Sequence, residues 1–181
     1  MPVIPAGPIS PIIVAVRQLI AASPAFQTWT GHAGNSTEAA KSVHLFASLP
    51  FTDEGYEPQD VINTRPCAIL NLAPQMGWLA ERNSSDGFIP FGRIMAEIQD
   101  NVPEPEDGVE AQQHYYDVAL SFMNSFGQVM EEVATIAESG AYPMFQRIYS
   151  NKPIARIDPD LRESQGDYHF GYIIFEWGFR A

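Results

Sequence analysis

Residues 109–139 read VEAQQHYYDVALSFMNSFGQVMEEVATIAES. Apolar side chains recur in this stretch at Tyr115, Ala119, Phe122, Phe126, Val129, Val133 and Ile136, in steps of four and three that draw one continuous stripe along an α-helix. Asp107 stands where an N-cap is needed, Glu110 follows three residues later as in a capping box, and Gly140 supplies the stop. The spacing predicts a helix of about thirty residues, roughly 45 Å long. Such a stripe needs an equally long apolar surface to cover, and the alternating segments on either side of it read as the sheet that supplies one.

Before the helix the chain is shorter in its periodicities and more broken by proline. Residues 1–9 contain Pro2, Pro5, Gly7 and Pro8 and are expected to form a flexible N-terminal arm, leaving residues 10–181 as a single domain. Ser10 and Pro11 start a first helix, whose apolar face is Ile12, Ile13, Val16, Leu19 and Ile20 and which runs to about Ala22. Ser23 and Pro24 repeat the cap-and-proline signature for a short turn of helix over Ala25 to Trp29, and a third fragment is expected from Thr37 to Lys41. Gly31 to Ser36 reads as a turn.

Strands are expected at Val43 to Ser48, by alternation, and at Cys67 to Leu72, whose near-continuous apolar character predicts burial on both faces. Phe51 to Thr64 between them reads as a long polar loop. Trp78 to Arg82 and Gly87 to Asn101 form a hairpin pair across Asn83, Ser84, Ser85 and Asp86. In its second arm Ile94, Ala96 and Ile98 alternate with Met95, Glu97 and Gln99, and Gly92 marks a candidate bulge. Val102 to Gly108 reads as an acidic, proline-rich loop into the long helix. Beyond that helix come a strand at Met144 to Tyr149, a polar loop from Asn151 to Gly166, and a last strand from Tyr168 to Phe179. In that last strand Phe170, Tyr172 and Ile174 oppose His169, Ile173, Phe175 and Trp177. No βαβ rhythm is present, so the fold class is α+β: a mainly antiparallel sheet packed against one long helix, with a short N-terminal helix.

The 181 residues are 45% hydrophobic, enough for one globular domain with a sizeable core. Ten Lys and Arg against 22 Asp and Glu leave a net charge of −12, which argues against an extended attractive contact with nucleic-acid phosphates. Cys67 is the single cysteine, so no internal disulfide forms. Met1 to Ala22 lacks the basic start of a secretory signal, and no stretch of about twenty apolar residues exists to span a membrane.

Catalytic chemistry is not written in the chain. His32, His44, His114 and His169 stand apart from one another and outside any zinc-binding spacing. The carboxylates gather at Asp53, Glu54 and Glu57, at Glu104, Glu106 and Asp107, and at Asp158 and Asp160, all in loops where a solvated role is expected. Cys67 sits in an apolar strand and reads as a small buried hydrophobe. No nucleophile elbow, phosphate loop or dinucleotide fingerprint occurs. The expectation is a non-enzyme with no catalytic, cofactor or metal residues. The aromatics Trp29, Phe51, Tyr56, Phe88, Phe91, Trp177 and Phe179 serve either a core or subunit contacts.

The order of elements carries a resemblance. An N-terminal helix continues through Ser23 to Phe26, and a strand at Val43 to Ser48 follows. Arg65 and Pro66 lead into the apolar strand containing Ala68 to Leu70; a hairpin, the long helix and a closing pair of strands ending Phe175, Glu176, Trp177 complete the series. This resembles the tail-terminator, or tail-completion, family of long-tailed bacteriophages, and departs from it most in the Phe51 to Thr64 and Asn151 to Gly166 loops. The resemblance implies a structural virion protein at the junction of tail and neck, assembled in the host cytoplasm. It would form a homohexameric ring that contacts the tail tube protein on one side and a neck or connector protein on the other, and DNA would pass through its lumen without tight binding. A neck or head-completion connector is the close variant. The other reading is a small cytosolic enzyme or ligand-binding domain built on loop carboxylates and a histidine.

Overall fold

The computed structural model describes residues 10–45, 64–72, 79–83, 87–105, 107–150, 154–156 and 168–178. The expected N-terminal arm and the carboxylates at 53, 54, 57, 158 and 160 lie outside the described residues. Four α-helices are described: α1 (Ser10–Ala22), α2 (Pro24–Trp29), α3 (Ser36–Ala39) and α4 (Ala111–Ile136). The strands are β1 (Val43–Leu45), β2 (Cys67–Leu72), β3 (Leu79–Asn83), β4 (Gly87–Asn101), β5 (Phe145–Ser150), β6 (Ile154–Arg156) and β7 (Tyr168–Gly178).

They form one sheet in the order β1-β2-β4-β7-β5, with β3 added to β4 and β6 to β7. Among the described residues only the β1–β2 pair is parallel, and the other pairings are antiparallel. The fold is therefore α+β with a mainly antiparallel sheet and one long helix, as the periodicities predict. The expected β3–β4 hairpin forms, but Asn83, read from the sequence as a turn residue, is the last residue of β3 and pairs with Gly87.

The long β4 and β7 strands pair from Phe91↔Gly178 to Asn101↔Tyr168, and their alternation assigns the two faces of the sheet. Ile94, Ala96 and Ile98 share one face with Ile173, Phe175 and Trp177, and all six are buried with α1 and α4. The α4 stripe supplies Phe122, Phe126, Val129 and Val133 to this core, and α1 supplies Ile12, Val16, Leu19 and Ile20. These are the positions that the helical spacing selects, because only residues three and four apart can reach one flat surface together. Phe170, Tyr172 and Ile174 on the opposite face of β7 are half-buried. Cys67, Ala68, Ile69 and Leu70 are buried, which agrees with the expectation of a strand covered on both faces.

Several boundaries differ from the sequence reading. Gly108 adopts φ +86, a left-handed conformation that turns the chain away from a helical path. The helix therefore starts after Glu110, whose own side chain accepts from the Gln113 amide at 2.9 Å, and Asp107 is not the cap. At the other end Ala137–Ala141 is a wider π-type turn closed by Gly140 at φ 85, so the expected glycine stop holds. Gly92 is not a bulge: it pairs regularly with Trp177, and a Cβ there would meet the indole Cζ2 at 2.9 Å. The register shift falls instead between Phe145 and Arg147 of β5. The expected polar loop after β5 contains β6, a three-residue strand held by backbone pairing to Tyr168, His169 and Phe170. A segment that short has no periodicity of its own to betray it.

Candidate functional site

Two polar clusters interrupt the core at the Asn101 end of β4. On the helix side, Asp100 lies opposite His169 in the β4–β7 ladder. The carboxylate accepts from the Trp29 indole Nε1 at 2.7 Å, and the Trp29 ring meets Phe122 edge-on at 5.3 Å. His169 is buried, its ring lies 5.3 Å from that of Phe122, and its Nδ1 has no hydrogen-bond partner among the described residues. Burial raises the Asp100 pKa against its hydrogen bonds from Trp29 and Asn101, and burial lowers that of His169 against the pull of Asp100. The pair thus favours its less charged forms.

On the opposite face Arg65 is buried. Its Nε donates to Gln99 Oε1 at 2.9 Å, its Nη1 to Asn101 Oδ1 at 3.2 Å, and its guanidinium stacks 3.9 Å from the centre of the Tyr168 ring. Gln99 in turn donates to Glu97 at 2.8 Å. The Arg65–Pro66 peptide bond is cis and immediately precedes β2. Among the contacts of this buried cation are two neutral side-chain oxygens and an aromatic face. The Cys67 thiol beside it is pushed up to about 12 by burial, which favours its protonated form.

Among the described residues the predicted candidates do not converge, and Glu106, like Asp53, Glu54, Glu57, Asp158 and Asp160, lies outside them. His114 sits at the start of α4 with its Nε2 at 2.8 Å from the Pro103 carbonyl oxygen, and His44 is half-buried on β1 with its pKa lowered by burial and then by Arg17. Glu104 and Asp107 are exposed. Among the described residues no three His, Cys, Asp or Glu side chains come together as a metal site, and no helix is long and apolar enough to cross a membrane. Trp29 and Trp177 belong to the core rather than to a surface.

The surface itself is more distinctive. Between Arg93 and Arg147 the chain carries ten Asp and Glu and neither Lys nor Arg, so α4 and its flanks form one block of single-sign charge. Within that block Tyr116, Leu120 and Met123 are exposed on α4. Beside its C-terminal end, an open groove of about 290 Å³ is lined by Ala134, Ala137 and Glu138 and by Phe145 to Ile148 of β5. Sequence reasoning missed the second apolar stripe because the first one accounts for the helix; the steps 116, 120 and 123 were the signal. No family model matches this chain, and no curated protein sequence is significantly similar to it.

Proposed function

We propose that this chain is a structural subunit of a closed ring, a tail terminator of a long-tailed bacteriophage or prophage, with a neck or head-completion connector as the close variant. In this reading copies of the chain, six by the family pattern, cap the tail tube and join it to the neck. The protein acts by shape and charge, with no catalytic residue. The observation that carries the reading is the segregated charge: ten carboxylates without one basic residue from Ile94 to Gln146, spanning the longest helix. A passage for DNA must not grip phosphates, since each attractive contact would retard sliding, and a negatively charged wall keeps the duplex centred.

The test is native mass measurement and negative-stain imaging of the purified chain, alone and with a tail tube protein. A ring that binds the tube end and does not retain duplex DNA at low salt is expected. A chain that stays monomeric at high concentration and takes up a metal ion or a small ligand would instead identify the domain as a binding module or enzyme.

A further inference from the structure

Three of the exposed large apolar residues, Tyr116, Leu120 and Met123, recur on α4 in steps of four and three. They form a second stripe, roughly 120° around the helix from the one that meets the sheet. Their exposures of 62%, 53% and 45% leave a continuous apolar band in water, a mark of a surface awaiting cover. Asp117 flanks the band, exposed, and accepts from the Gln113 side-chain amide at 3.0 Å.

A surface of complementary character lies elsewhere on the same molecule. The groove between the end of α4 and β5 presents Ala134, Ala137, Phe145 and Ile148 together with Arg147, and Glu138 and Gln146 complete its lining. Arg147 is exposed, makes no ion pair among the described residues, and stacks 4.7 Å from the Tyr149 ring centre. It is the first cation after the acidic block. β5 stands at the end of the strand order, so this groove opens at the rim of the sheet.

We propose that the Tyr116, Leu120 and Met123 band of one copy seats in the α4–β5 groove of the next, with Asp117 facing Arg147. This inference rests on the ring reading above and names the contact that would build the ring. The two patches differ, so the contact is head to tail and can repeat around an axis, whereas a patch that met itself would stop at a dimer. Apolar burial supplies the attraction, and the Asp117–Arg147 pair selects the register.

The experiment measures assembly of the full chain by sedimentation, with circular dichroism to verify folding. Leu120→Lys and Arg147→Asp, both at exposed positions, are each expected to raise the concentration for half-assembly about tenfold or more. Combining Asp117→Arg with Arg147→Asp is expected to restore it. A wild-type ring that persists unchanged in both single variants overturns this contact and leaves the ring reading standing, as does a band whose loss affects only binding of a tail tube protein. A wild-type chain that never assembles overturns both. Failure of the charge swap to restore assembly overturns the Asp117–Arg147 pairing.

Discussion

Gly171 of β7 lies against Phe126 of α4 so closely that a Cβ at residue 171 would stand 2.6 Å from the ring's Cε2. Its backbone is not in the left-handed region, so the glycine is there for room and not for conformational freedom. It lets the long helix settle onto the sheet with a phenyl ring at the contact.

Gly171→Ala is expected to destabilise the protein by about 1–3 kcal/mol through overpacking. Phe126→Leu in the same chain should recover part of that loss, since the two groups share one space. Urea unfolding of the two single variants and the double variant measures the coupling. Strict additivity would mean that the ring moves aside freely.

Ser23 links two helices. Its hydroxyl accepts from the Phe26 amide at 3.1 Å as the cap of α2 and donates to Glu132 Oε2 on α4 at 2.5 Å, while the Ala25 amide donates to the same carboxylate oxygen at 2.9 Å. Ser23→Ala should lower stability by about 1–2 kcal/mol, the cost of a lost cap in a buried setting. Thermal unfolding checks it, and a change within a few tenths of a kcal/mol would remove the cap from the account.

His169 and His44 both have pKa values lowered by burial, so the unfolded chain takes up protons before the folded one does. Their contribution to stability is present above the ordinary histidine pKa and is lost as pH falls through their folded values. Asp100, raised by burial, works in the opposite direction: its contribution is present below the ordinary carboxylate pKa and is lost as pH rises through its folded value. The two histidines should therefore lower stability from pH 7.5 toward pH 5 against the opposing pull of Asp100, and His169→Phe should remove part of that loss. Urea midpoints at both pH values provide the measurement, and an unchanged slope in the variant would place the dependence elsewhere.

Cys67 is fully buried and its thiol is held up to about 12. It should react with a thiol reagent at pH 8 no faster than the protein unfolds, and at once in strong denaturant. Rapid labelling of the native protein would show that β2 opens locally.

Much of the architecture is legible in single residues. The α4 stripe, the Ser23 and Pro24 start of α2, the β3–β4 hairpin and the two faces of β7 follow from spacing, because amphipathic periodicity is a local property with a fixed geometric meaning. Glu110 takes the place of Asp107 as the cap because Gly108 between them adopts a left-handed conformation that no α-helix can pass through. The Trp29, Asp100 and His169 cluster was invisible, since it joins residues 71 and 69 positions apart.

The amino-acid order alone determined the long helix and the longer strands, which of their faces are apolar, and that charge is segregated along the chain, since each depends on neighbours within a turn or a strand. Only the tertiary structure decided that Gly92 and Gly171 make room for Trp177 and Phe126, that β6 joins β7, and that the second α4 stripe is left uncovered. Those outcomes depend on which distant surfaces meet, and contact across space has no periodicity in sequence.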